Sequence, residues 1–136
     1  MDDLFKTMRI SASGMKAQGT RLRVISENMA NVNSLPTKPG ENPYQRKVTI
    51  FKNKLDRELG AKTVDVHRVR PDKSEFKMRF DPNHPAADAN GYVQTPNVNT
   101  LVEMMDMKEA QRSYDANVKV IKMSKEMIGN TLSILR

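Results

Sequence analysis

The chain has 136 residues, room for one domain or one domain with an insertion, and it has no cysteine, which excludes disulfides, thiol catalysis and thiolate metal sites. Only 38% of residues are hydrophobic and 5% aromatic, with no Trp, so bulky core material is scarce and stability should depend partly on association. The net charge of +7 raises nucleic-acid binding, but five basic and three acidic groups fall in residues 1–33, twelve and eight in 34–96, and six and five in 97–136, a spread unlike the single basic face of a nucleic-acid binder.

In the first segment, Met1, Met8, Met15, Leu22 and Met29 share one heptad position, and Leu4, Ile25 and Val32 fall three residues after it. This repeat of 3.5 predicts a long amphipathic helix from about Asp3 to Asn33, roughly 45 Å at ~1.5 Å per residue, that wraps on another helix. Asp2 and Asp3 suit the positive end of the helix dipole, while Asn31, Asn33 and Pro36 suit its termination. Gly14 and Gly19 lie inside it and, with Ser11, Ala12 and Ala17, form a small-residue surface against which a helix is expected to press. Ser11 and Gln18 interrupt the apolar seam.

The middle changes character. Leu35–Pro43 carries three prolines and a glycine and reads as loop. Tyr44, Val48 and Ile50 alternate with polar residues as a strand, Val64 and Val66 begin a second, and Phe76, Met78 and Phe80 mark a third. These three are expected to form one small antiparallel sheet with a buried face. Residues 81–93 read as loop, with a tight turn at Asn90-Gly91.

The last helix is predicted from Thr100, where Thr100 and Glu103 have capping-box spacing, to Leu135, roughly 52 Å. Met104, Val118 and Leu132 share one seam position and Met107, Tyr114, Ile121, Ile128 and Leu135 the other, with Gln111 and Lys125 as breaks. Nine of the ten methionines lie in the two helical segments, and Met repacks easily against non-identical neighbours. The expected fold class is mainly α with a small β insertion. Residues 1–33 and 97–136 form a discontinuous helical domain paired as a coiled-coil hairpin, and 34–96 form a loop-rich small β domain. The seam residues are the expected helix and subunit interface.

Chemistry is hard to find. Asp81, His84 and Asp88 cluster, with His67 elsewhere, but prolines flank His84 and no pair has helical ligand spacing, so local backbone hydrogen bonding is the expected role. No phosphate-binding loop, cofactor motif or small-molecule site is indicated. No apolar run approaches the ~20 residues of a membrane span, and the acidic start does not resemble a cleavable signal peptide. The alternative from another class is a basic helical nucleic-acid-binding protein.

Three stretches carry a resemblance. Ser26–Ser34 holds Asn28, Asn31 and Asn33. Asp81–Val93 holds Asp81, Pro82, His84, Pro85, Gly91 and Tyr92 and is followed by Pro96, Asn97 and Asn99. Met104–Asn117 forms the third. Together they resemble the bacterial flagellar rod, hook and hook-associated axial proteins, and most of all a proximal rod subunit; Ser34 departs by standing where the family often has Thr. The resemblance implies a structural subunit of the shaft linking rotor to hook across the periplasm, and not an enzyme. It implies export through the flagellar type III apparatus without cleavage. The implied partners are the proximal and distal rod proteins, the export-gate-side adaptor and further copies of itself. The terminal helices would line the inner part of a tube, with 34–96 outward.

Overall fold

A computed structural model describes residues 2–134. Its elements are α1 (Asp2–Ala30), β1 (Lys47–Asp56), β2 (Ala61–Pro71), β3 (Lys77–Phe80), β4 (Tyr92–Thr95) and α2 (Thr100–Ile134). The expected class holds: two long terminal helices with small antiparallel strands between them. The helices run antiparallel, with Gly14 against Asn117, Arg21 reaching Asp106 and Glu109, and Asn28 reaching Glu103. α1 stops at Ala30, short of Asn33, where the Asn31 Nδ2 donates to the Glu27 carbonyl at 2.8 Å and residues 31–33 turn.

The seam between the helices differs from its expected composition on one line. In α2 the line buried against α1 is Glu103, Ala110 and Ser124, with half-buried Asn117 in step, and it alternates with half-buried Met107, Tyr114, Ile121 and Ile128. Met104 and Leu132, expected on that line, are 47% and 52% exposed, and Val118 is half-buried. The physical reason is close approach. Small side chains let the backbones near each other, and the one large member, Glu103, is neutralised by partners from elsewhere in the chain. On α1, Ile25 is buried, while Leu4, Met8, Met15, Leu22, Met29 and, just beyond the helix, Val32 are half-buried; Ser11, Ala17, Val24 and Asn28 are more deeply covered. Met1 and Leu135 lie outside the described residues. A Cβ on Gly14 would sit 2.9 Å from the Asn117 amide nitrogen, so a helix does press there; at Gly19 a Cβ would meet nothing within 4 Å.

The strands form two hairpins, not one three-stranded sheet. β1 pairs with β2 antiparallel from Lys47↔Pro71 to Asp56↔Ala61, with a bulge that shifts register between Ile50 and Phe51. Gly60, at φ +61°, supplies the left-handed conformation of the connecting turn. This hairpin packs on α1, where the Val64 N–H donates to Ser13 Oγ and Arg9 pairs with Asp56 and Glu58. β3 pairs with β4 from Lys77↔Thr95 to Phe80↔Tyr92. β4 falls partly where loop was expected, because its four residues are too short to show a period between Gly91 and Pro96. Its alternation is nonetheless real: Val93 is fully buried, while Tyr92 and Gln94 are exposed. The apolar face of β3 is a second departure. Met78 and Phe80 point outward, exposed by 53% and 63%.

Candidate functional site

At the end of the helical hairpin where α1 finishes and α2 begins, a polar junction ties both helices to the start of β1. Its centre is Glu103, with no exposed surface, and Asn28, 1% exposed. Burying an unpaired carboxylate is prohibitive, so the chain brings a cation to it. Arg46 Nε donates to Glu103 Oε1 at 2.5 Å, its Nη1 to Asp72 at 3.2 Å and its Nη2 to Asp106 at 3.5 Å. Asp106 also meets Arg21, which reaches Glu109 at 3.1 Å.

Asn28 has its amide filled on both sides. Its Oδ1 accepts from the Tyr44 hydroxyl and the Lys47 N–H, each at 2.9 Å. Its Nδ2 donates to the Lys47 carbonyl at 2.8 Å and to Glu103 Oε2 at 3.1 Å. The side chain therefore reads both backbone groups of Lys47 as a neighbouring strand would, setting where β1 starts against α1. Lys47 Nζ pairs with Glu27, one residue before Asn28.

Asn97 closes the far side, accepting from the Arg46 N–H at 2.8 Å and donating to the carbonyls of Asp72 and Ser74. Asn99 then caps α2, its Oδ1 accepting from the Leu101 N–H at 3.0 Å. The cap is thus Asn99. Thr100 and Glu103 form no capping box, because Glu103 is engaged inside the junction.

These contacts set the charge states. Burial works against the Arg46 guanidinium, but its bonds and charge pairing with Glu103 and Asp72 outweigh that and hold it firmly protonated. The Ser74 N–H and Arg46 hold Asp72 below the usual carboxylate range against its partial burial. Asp72 therefore stabilises the fold above that range, and its contribution is lost as the pH falls through it.

Burial, and then the charges of Glu27 and Glu103, push the Tyr44 hydroxyl up from 10.0 to about 12. A raised acid of this kind stabilises the fold fully below pH 10, and that contribution is lost as the pH rises toward 12. An ultraviolet absorbance titration should show a late tyrosine ionisation toward pH 12, and Tyr44→Phe should remove that step. Retention of the step in Tyr44→Phe would contradict the assignment.

The expected motif residues separate into two groups. Asn28, Asn97 and Asn99 belong to the junction and cap, and Asn31 to the end of α1, where the Ser34 hydroxyl donates to it at 3.0 Å. Asn33 is exposed. Asp81, Pro82, His84, Pro85 and Gly91 belong to the β3–β4 connection and Tyr92 to the start of β4, and none of them hydrogen-bonds to the junction residues. There His84 Nδ1 accepts from the Ala86 N–H, Asp88 Oδ1 accepts from the Asn90 and Tyr92 N–H groups, and Asp81 pairs with Arg79. Gly91, at φ +81°, lies where a Cβ would be 3.0 Å from Phe80 and 3.1 Å from Pro82, so both its conformation and its closeness require glycine. Pro96, which precedes Asn97, is buried. Sequence reasoning missed Glu103, Arg46, Asp72, Asp106 and Tyr44. No local signal marks them: the heptad line Glu103, Ala110, Asn117 and Ser124 is polar and small, and a seam scored by apolar residues passes over it.

A charge junction locking two long helices to a strand, with apolar residues left on the outer helix faces, defines a structural subunit of helical-hairpin type. Among the described residues no helix is long and apolar enough to cross a membrane. Residues 8–34 match the family model described as flagella basal body rod protein, and residues 89–134 match the flagellar basal body rod FlgEFG protein C-terminal model. The chain is 45% identical over 136 residues to the flagellar basal-body rod protein FlgC of Agrobacterium fabrum, covering 100% of this chain and 98% of that protein. It is 38% identical over 133 residues to FlgC of Salmonella typhimurium, covering 96% and 97%, and 38% identical over 151 residues to FlgC of Borreliella burgdorferi, covering 98% of each. The chain belongs to the FlgC family of flagellar basal-body rod proteins, a structural family and not one of enzymes.

Proposed function

We propose that the chain is a subunit of the proximal rod, polymerising with other rod proteins into the tubular shaft that carries torque from rotor to hook. The observation that carries this reading is the apolar material left outside the paired helices. Leu101 and Met105 are 67% and 65% exposed, and Met104, Met123, Met127 and Leu132 are also uncovered. A helix apolar on several faces needs neighbours on several sides, and a tube wall supplies them. Contacts between unlike surfaces of successive subunits propagate as an open helix.

In this reading residues 1–33 and 97–136 form the inner helical domain and 34–96 the outer one. Met107, Tyr114, Ile121 and Ile128 hold the hairpin together, while Met104 and Leu132 meet other subunits. The partners are copies of itself, the other proximal and distal rod proteins and the export-gate-side adaptor. The chain leaves the cytoplasm through the flagellar type III apparatus and sits in the periplasmic part of the basal body. Electron microscopy of basal bodies from a strain lacking the chain should show a shaft that stops short and bears no hook. A full-length rod with a hook in that strain would overturn the proposal.

A further inference from the structure

Two surfaces of this chain are exposed, and their chemistries are complementary. The first is the outer face of the β3–β4 hairpin, where register places Met78, Phe80, Tyr92 and Gln94 together. Phe80 and Tyr92 stand edge to face with ring centroids 5.3 Å apart, and both are exposed. The strap of residues 36–42 runs beside this face, and between them lies a groove of about 190 Å³ whose lining includes Met78, Tyr92, Glu41 and Asp88. Its lining combines apolar Pro36, Met78 and Ala86 with the carboxylates Glu41 and Asp88. Glu41 spends one carboxylate oxygen on Thr37 and Asp88 one on the Asn90 and Tyr92 N–H groups; neither has a cation within ion-pair distance among the described residues.

The second surface is the outer face of β2. Arg68 and Arg70 occupy alternate positions opposite Ile50 and Val48, so they project from one face of the hairpin, and both are exposed. Neither forms an ion pair among the described residues. An arginine fits the groove on three counts. Its stem covers apolar floor, its guanidinium stacks on an exposed aromatic, and its planar fork meets carboxylates. The β1–β2 hairpin packs on α1 and not on the β3–β4 strands, and neither Arg68 nor Arg70 lines the groove of its own chain.

We infer that the groove between the 36–42 strap and β3–β4 receives the Arg68–Arg70 ridge of an adjacent copy of this chain. The inference rests on the rod-subunit reading. It adds which face meets which: two different surfaces joined head to tail, the geometry that continues into a helix.

The chain has no native cysteine, so an introduced pair reports cleanly. His67→Cys on the ridge and Gln94→Cys at the groove leave all four charges in place, and both positions are exposed. A short bis-maleimide applied to purified basal bodies should link copies into dimers and longer ladders, while Gln94→Cys combined with Ser26→Cys should not. Adding Arg68→Glu and Arg70→Glu, surface changes that leave the helical circular dichroism unaltered, should cut the yield at least about tenfold. Unlinked copies in basal bodies that contain the chain, or equal yield after the charge reversal, would overturn the inference. Absence of the chain from basal bodies would instead overturn the rod-subunit reading.

Discussion

Arg46→Ala is expected to destabilise the protein by about 3–5 kcal/mol, the range for removing one member of a buried ion pair. Glu103 has no exposed surface, and without Arg46 its carboxylate keeps only the Asn28 amide. The same substitution frees Asp72 and Asp106 to repel each other across the gap that Arg46 bridges. Chemical denaturation of the purified chain, compared by midpoint at equal slope, measures the loss. Glu103→Gln keeps the shape and should cost less than Arg46→Ala. Replacing both members together, Arg46→Met with Glu103→Leu, should recover much of the loss because no uncompensated charge remains. A loss below about 1 kcal/mol for Arg46→Ala would show that the junction does not hold the helices to β1.

Ile121→Asp is expected to abolish swimming while the chain is still synthesised. Ile121 is half-buried on the seam, one turn beyond Asn117, which meets Gly14. Aspartate there removes apolar packing and sets a carboxylate between closely approaching helices, at a combined cost of about 3 kcal/mol. A hairpin that opens cannot present its outer faces in fixed relation, so incorporation into the rod fails. Leu22→Asp, half-buried on α1, should act the same way. Motility assays with immunoblots of whole cells and basal bodies separate lost assembly from lost synthesis. Normal swimming of the Ile121→Asp strain would contradict the role of the seam.

The helices were legible because heptad spacing survives its interruptions. Gly14 was legible as a contact because glycine inside such a helix is costly unless something needs the space. What periodicity could not show was that the closest line of α2 is Glu103, Ala110, Asn117 and Ser124. A pattern scored by apolar residues selects Met104, Val118 and Leu132 in its place, one position along. The partner that permits Glu103 to be buried lies 57 residues away in sequence, and nothing local to either residue announces the pair.

Spacing pointed to Thr100 with Glu103 as the cap, but the junction holds the glutamate and Asn99 caps the helix in its place. In β3 the alternation of Phe76, Met78 and Phe80 was correct as a strand signal and wrong about direction. An isolated hairpin buries whichever face its loops cover, and here Val93 opposite Arg79 takes the inside. The motif asparagines were recognisable as a group, yet their separate tasks appear only in three dimensions. Asn28 reads the backbone of Lys47, Asn97 that of Arg46, and Asn99 starts α2.

The central claim, that this chain is a structural subunit of the flagellar rod, is tested most directly by locating it in intact basal bodies purified from swimming cells. Labelling of an epitope in the exposed β1–β2 turn at Arg57 and Glu58, read by electron microscopy, should place the chain in multiple copies on the rod and nowhere else on the particle. Basal bodies that are complete and functional yet carry no label, with the epitope detectable in the cell lysate, would contradict it.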